Sequence, residues 1–211
     1  ESYHTLQFSQ ASYIYAPMLP DYLDLSGRQK LFACGHVAEA LAIRWVEKTP
    51  GLKAVIFSDN ENRAKTIEVL ITERSLSGRM VSVMGDYYRD SFGEGNDVAL
   101  FVNDLQIYDN RDNHRGLRLL LTKAYESLVR GGLVVVAGYI LNDAKTGPYH
   151  TTLFQANSVI MDTSILIASA EELEKIMKEV GFVEPQVKAQ PPPFFFWMMT
   201  ARKPEIEPSD Q

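Results

Sequence analysis

Residues 31–42 read Leu31-Phe32-Ala33-Cys34-Gly35-His36-Val37-Ala38-Glu39-Ala40-Leu41-Ala42, an apolar strand running into a helix. An α/β domain that holds a nucleotide-like ligand places a glycine-rich turn at such a junction, because the backbone bends tightly there and must approach the ligand closely. Within this stretch only Gly35 is glycine. His36 and Val37 bring side chains, and Glu39 brings a carboxylate, to places where bare backbone would serve a ligand. The stretch points to an α/β fold and asks whether the ligand site at its turn survives.

Working outward, helix and strand patterns alternate. Residues 10–25 form a short helical lead-in broken by Pro17 and Pro20. Strands are expected at Leu31–Cys34, Lys53–Phe57, Arg79–Met84, Asp97–Val102 and Leu133–Ala137, with a closing pair near Val183–Lys188 and Phe195–Ala201. Helices are expected at Ala38–Lys48, Asn60–Arg74, His114–Val129 and Ser169–Val180, the third closed by Arg130-Gly131-Gly132 as a glycine C-cap and the fourth by Gly181. Strands separated by helices of this length imply a mostly parallel sheet with right-handed crossovers, and the closing pair implies an antiparallel edge. The organisation reads as an aromatic-rich lead-in over 1–30, one α/β domain over 31–202, and a polar, disordered tail over 203–211.

Composition narrows the function classes. The net charge of −6 disfavours nucleic acid and anionic membrane surfaces as partners. No apolar run approaches the roughly 18 residues of a membrane span. A single cysteine, Cys34, excludes an intrachain disulfide and suits a reducing cytoplasm. One cysteine and scattered histidines give no zinc spacing.

Five further stretches carry a resemblance. Gly85-Asp86-Tyr87-Tyr88 is followed by Gly95-Asn96-Asp97-Val98 and by Leu105-Gln106-Ile107-Tyr108-Asp109. Arg130-Gly131-Gly132-Leu133-Val134-Val135 and Glu171-Glu172-Leu173 with Val180-Gly181-Phe182 complete the pattern. In order and spacing, residues 18–202 resemble the catalytic domain of the small-molecule O-methyltransferases, a class I S-adenosylmethionine (SAM)-dependent family. The resemblance implies a Rossmann-like methyltransferase fold: a seven-stranded, mostly parallel sheet with an antiparallel edge strand and helices on both faces.

It also implies positions for cofactor and catalyst. The family's strand-one acid falls on Ala33, its first glycine on Gly35, and later ones on His36, Val37 and Glu39, where the turn meets the amino-acid part of SAM. Glu39 near the SAM carboxylate would repel it; turned outward, it would be an ordinary helix N-terminal acid. The ribose-binding acid falls on Ser58, with Asp59 one place on, and Ser58-Asp59-Asn60 reads equally as a helix N-cap. Asp86 and Tyr87 fall beside the adenine, where an aromatic and a carboxylate would stack and hydrogen-bond; they also read as a strand-end turn with half-buried tyrosines. The family's catalytic His, which takes the acceptor proton, falls on Gln106, and an amide cannot accept that proton. Asp104 and Asp109 are substitute bases. His114 reads as a surface residue at its helix start, and His4 and His150 as surface histidines.

The family's helical N-terminal dimerisation domain has about 30 residues in its place here, among them Tyr3, Phe8, Tyr13, Tyr15 and Tyr22. Aromatics at this density pack on something: the chain's own crevice, a protein partner or a second copy. Pro191-Pro192-Pro193-Phe194-Phe195-Phe196-Trp197 reads as an edge strand entered through a stiff segment. Three functions remain in view. The leading one is an O-methyltransferase-like domain without SAM as cofactor, non-methylating, acting as a non-catalytic or regulatory subunit. The alternative is an active SAM-dependent O-methyltransferase with a rebuilt site, acting on a small organic hydroxyl compound. A SAM-independent cyclase or isomerase, with Asn103, Gln106 and Tyr108 as polar contacts, is the third.

Overall fold

A computed structural model describes residues 16, 22–35, 37–103, 114–161, 166–188 and 197–206. Seven strands form one sheet: β1 Lys30–Gly35, β2 Lys53–Ser58, β3 Met80–Met84, β4 Asn96–Val102, β5 Leu128–Gly138, β6 Val183–Lys188 and β7 Trp197–Arg202. Their order is β3-β2-β1-β4-β5-β7-β6. The pairs among β1 to β5 are parallel, and β7 runs antiparallel between β5 and β6. The Rossmann-like methyltransferase architecture expected from the sequence is present.

Strand alternation divides the core in two. Leu31, Ala33, Ile56, Leu100 and Val135 pack with Leu41, Trp45 and Val46 of α1 (Ala38–Lys48). Phe32, Phe57, Phe101, Val134 and Val136 face the other way, against Leu117, Leu120 and Leu121 of α3 (Arg115–Ser127) and Leu173 and Met177 of α5 (Ala170–Val180). Val98 through Val102 are buried on both sides, which is why β4 reads as an unbroken apolar run. α2 (Glu61–Glu73) buries only Ala64, Ile67 and Ile71, enough for a helix at the β2–β3 margin.

Several elements differ from expectation. β5 starts at Leu128, immediately after α3, so the predicted glycine C-cap at Gly131-Gly132 does not exist. Those glycines instead lie in an irregularity of the β4–β5 ladder: Asn96 pairs with Leu128, yet Val98 pairs with Leu133. α4 (Tyr149–Ile160) was not anticipated, because its burial is confined to Thr151 and Ser158 and leaves no apolar stripe to read. Most of the 10–25 lead-in, residues 189–196 and the tail from 207 lie outside the described residues.

Candidate cofactor crevice

The carboxyl ends of β1, β2 and β3 bring the turn after Gly35, Ser58–Asp59 and Asp86 to one edge of the sheet, where open α/β sheets bind ligands. The β2 and β3 ends are tied together by the Gly85 amide, which donates to the Ser58 carbonyl at 3.0 Å. Gly35 has φ +114°, and a Cβ there would lie 2.8 Å from the Val102 nitrogen, so no other residue fits against β4. Val37 holds φ 63° and ψ 16° at the entry to α1, the left-handed conformation that glycine adopts freely. Val37 thus holds a glycine-type conformation without being glycine.

Glu39 occupies neither orientation open from the sequence. Its side chain is fully buried, not turned out to solvent, and it pairs with Arg63 of α2 at 3.1 Å. The same guanidinium donates to the Gly35 carbonyl. Arg63 thus spans the gap between β1 and β2, with a side chain only 9% exposed. Its α2 position is set by Asn60, whose side chain accepts from the Arg63 amide at 3.0 Å and caps the helix. Arg63 is the residue sequence reasoning missed; its signal, a basic residue one turn into the helix after β2, is also that of any solvated helix face.

The ribose and adenine positions are similarly committed. Ser58 is buried, and its hydroxyl exchanges hydrogen bonds with the Asn60 backbone, 3.2 Å to its carbonyl and 3.3 Å from its amide. The N-cap reading of Ser58-Asp59-Asn60 is the observed one, with Asn60 as the cap; Asp59 is exposed beside it. Asp86 accepts from the amides of Tyr88 (2.7 Å) and Arg89 (3.2 Å), closing a tight turn. Tyr87 is 2% exposed, which corrects both expectations for it: neither purine-stacking surface nor half-buried tyrosine. Its ring packs 5.4 Å from Phe57, its hydroxyl donates to the Phe57 carbonyl, and Phe57, Phe92 and Phe32 extend the cluster. Lys123 lies over the Phe92 ring and donates to the Tyr87 carbonyl. Burial lowers its pKa, against the opposing pull of Asp86 and Asp90.

The catalytic positions Asp104, Gln106 and Asp109, with Tyr108 and His36, lie outside the described residues. Asn103 is described, and its side-chain oxygen accepts from the Tyr139 amide at 3.3 Å, pinning the β4 end to the β5 end. Tyr139 stacks on Phe154 at 4.6 Å. His114 corrects the expectation of a surface histidine: it is 8% exposed, with Nε2 3.9 Å from Glu172. His150 is exposed, as read. Among the described residues, no group of three metal-ligating side chains occurs, and no helix is long and apolar enough to cross a membrane.

A family model of the O-methyltransferase domain matches residues 2–183. The chain belongs to that family. It is 34% identical over 130 residues to the L-tyrosine C(3)-methyltransferase of Streptomyces lavendulae, covering 62% of this chain and 34% of that protein. It is 26% identical over 168 residues to acetylserotonin O-methyltransferase of Gallus gallus, covering 78% and 45%. The solved human N-acetylserotonin methyltransferase, in complex with SAM, superposes with a TM-score of 0.79 at 21% identity, covering 96% of this chain and 55% of that one. The chain thus spans between a third and a half of the curated relatives it matches.

SAM is the cofactor the family implies. The amino end of α1 carries the Glu39 carboxylate, buried and paired with Arg63 rather than facing the crevice. The Gly35 carbonyl accepts from the Arg63 guanidinium. Ser58 has no acid to offer two ribose hydroxyls, and Tyr87 has no exposed ring face for adenine.

Proposed function

We propose that this chain is an O-methyltransferase-family domain that does not transfer methyl groups and serves as a non-catalytic or regulatory subunit of a protein partner. The observation that carries this reading is the Glu39–Arg63 pair, which joins α1 to α2 across the crevice and engages the Gly35 carbonyl. A buried ion pair of this kind is held by mutual compensation, and opening it for a ligand leaves a charge uncompensated. The replacement of the family's base by Gln106 supports the same reading from an independent position. The partner contact in this proposal is the aromatic N-terminal segment with Tyr3, Phe8, Tyr13 and Tyr15, and the setting is the cytoplasm.

A second reading, an active O-methyltransferase for a small organic hydroxyl compound, is favoured by the relatives, whose names describe methyl transfer to a tyrosine ring carbon and to an acetylserotonin oxygen. Asp59 for ribose, Asp86 for adenine, and Asp104 or Asp109 as base would then carry the rebuilt site. Calorimetric titration of the chain with SAM and with S-adenosylhomocysteine separates the two. The proposal expects no saturable heat up to about 1 mM of either; a dissociation constant in the micromolar range, on the order of 8 kcal/mol of binding, overturns it and favours the second reading.

A further inference from the structure

The sheet face opposite α1 and α2 is unevenly covered. α3 lies over β4 and β5, and Phe92 stacks on Phe32 above β1. The connection from β3 to β4, residues 85–95, contains no helix, so among the described residues no helix covers the lower parts of β2 and β3 on that side. Val81 is 49% exposed there, and Val55, its register partner, is half-buried. At the amino ends of these strands, far along the sheet from the crevice, the surface forms a concavity of about 420 Å³.

Its lining combines an apolar floor with a cationic rim. Lys30 pairs with Lys53 in register, and Lys53 and Val55 point to the same side, so both lysines stand beside the Val55–Val81 floor. Arg79 completes the rim, and the lining contains no carboxylate although the chain carries a net charge of −6. Lys30 donates to the Glu94 carbonyl, and Arg79 to the carbonyls of Val46 (2.6 Å) and Thr49 (3.4 Å). For Arg79 these are the last carbonyls of α1, whose negative helix end offsets part of its charge, so Lys30 and Lys53 are the less compensated cations. The nearby Asp97 carboxylate accepts from the backbone amides of Gln29 and Lys30, each at 2.9 Å, and sets one negative charge against the three cations of the rim.

We infer that this concavity is a binding site for a small amphipathic monoanion, a carboxylate or sulfonate on an apolar body of roughly ten carbons. The apolar body lies on Val55 and Val81, and the anionic head meets Lys53 and Lys30. The site is separate from the crevice, and its occupancy does not depend on whether SAM binds.

The test uses 4-phenylbutyrate as probe and 4-phenylbutanol as its uncharged counterpart, titrated into the full chain by calorimetry. Saturable one-to-one binding of the acid is expected, with the alcohol weaker by about tenfold or more. Lys53→Glu, at an exposed position, weakens the acid by at least about tenfold through charge reversal. Val81→Trp, which fills the floor from an exposed position, abolishes binding. The inference is overturned if the acid does not saturate, if acid and alcohol bind alike, or if both variants bind the acid as the parent does.

Discussion

The two ends of the chain's α/β domain enter their helices in opposite ways. At α5, Ser169 accepts from the Glu172 amide at 3.2 Å while Glu172 accepts from the Ser169 amide at 2.8 Å, a reciprocal capping box; Gly181 then leaves the helix with φ 113°. At α1, Val37 stands at the cap with φ 63° and no side-chain cap, and the first-turn acid is buried in an ion pair. A β-branched residue in the left-handed region costs on the order of 1–3 kcal/mol, held only where the surroundings over-determine it. Here they do: Val37 is 2% exposed in the core cluster, and Arg63 clamps the carbonyl two residues before it. Local rules govern the structural helix, and they fail at the turn whose backbone path belongs to a ligand site.

Glycine substitution sharpens that contrast most. Both Gly35 and Gly181 have φ near +113°, so alanine strains each backbone alike. At Gly181, however, the nearest atoms to an added Cβ belong to the Tyr125 side chain, at 3.2 Å and beyond, which can shift; at Gly35 they are the backbone of Val102 in the centre of the sheet. Gly35→Ala is expected to destabilise by about 5 kcal/mol or more, and Gly181→Ala by about 1–2 kcal/mol. Urea unfolding of the two variants checks this. Equal losses would mean that the β1 turn yields as easily as an ordinary helix end.

How far the sequence discloses these features depends on what kind of physics sets them. β4 and the α1 stripe of Leu41, Trp45 and Val46 are legible because burial imposes periodicity on residue type. The α5 ends are legible because Ser169, Glu172 and Gly181 stand at the offsets that capping chemistry demands. The start of β5 at Leu128 is not, since Arg130-Gly131-Gly132 is equally good as a helix stop and as a strand irregularity, and tertiary pairing with β4 chooses. Within the crevice, the lost glycines and the Ser58–Asn60 cap can be read from residue types alone. The Glu39–Arg63 pair cannot: its members lie 24 residues apart, and only the parallel β1–β2 register brings α1 and α2 together. Tyr87 and His114 were misjudged for a related reason, because polar tips hid the burial of rings that the aromatic cluster and α5 enclose.

Removing Arg63 is the next largest effect. Arg63→Ala strands the fully buried Glu39 carboxylate and is expected to cost about 3–4 kcal/mol, whereas Arg63→Met combined with Glu39→Leu removes both charges and returns to within about 1–2 kcal/mol of the parent. A double-mutant cycle in urea gives the coupling directly. Were Arg63→Ala to cost under about 0.5 kcal/mol, the pair would behave as a surface ion pair, and the claim that it closes the crevice would fall with it.

The smallest effect probes the well-behaved helix through pH. His114 packs at the entry of α3, its side chain 10% exposed, with Nε2 facing Glu172 of the α5 capping box; Lys145, which bonds Glu172 at 2.6 Å, and Arg118 stand on the same side. Burial lowers the His114 pKa, Lys145 and Arg118 lower it further, and Glu172 opposes them without prevailing. The unfolded chain therefore takes up the proton first. Stability is full above the ordinary histidine value of 6.5 and declines as pH falls from there toward the lower folded value. Glu172 is also held below its ordinary value of 4.5: burial pushes it up, but Lys145 and the Ser169 amide outweigh that, so its contribution is lost only in a more acidic window. His114→Asn keeps a residue tolerant of φ 57° and removes the titrating group. The expected result is a melting temperature that falls less steeply between pH 7 and pH 5.5 in the variant than in the parent, a difference on the order of 1 kcal/mol in stability. Parallel melting curves would show that α3 and α5 accommodate the imidazolium freely, and that the structural end of the domain is looser than its capping geometry implies.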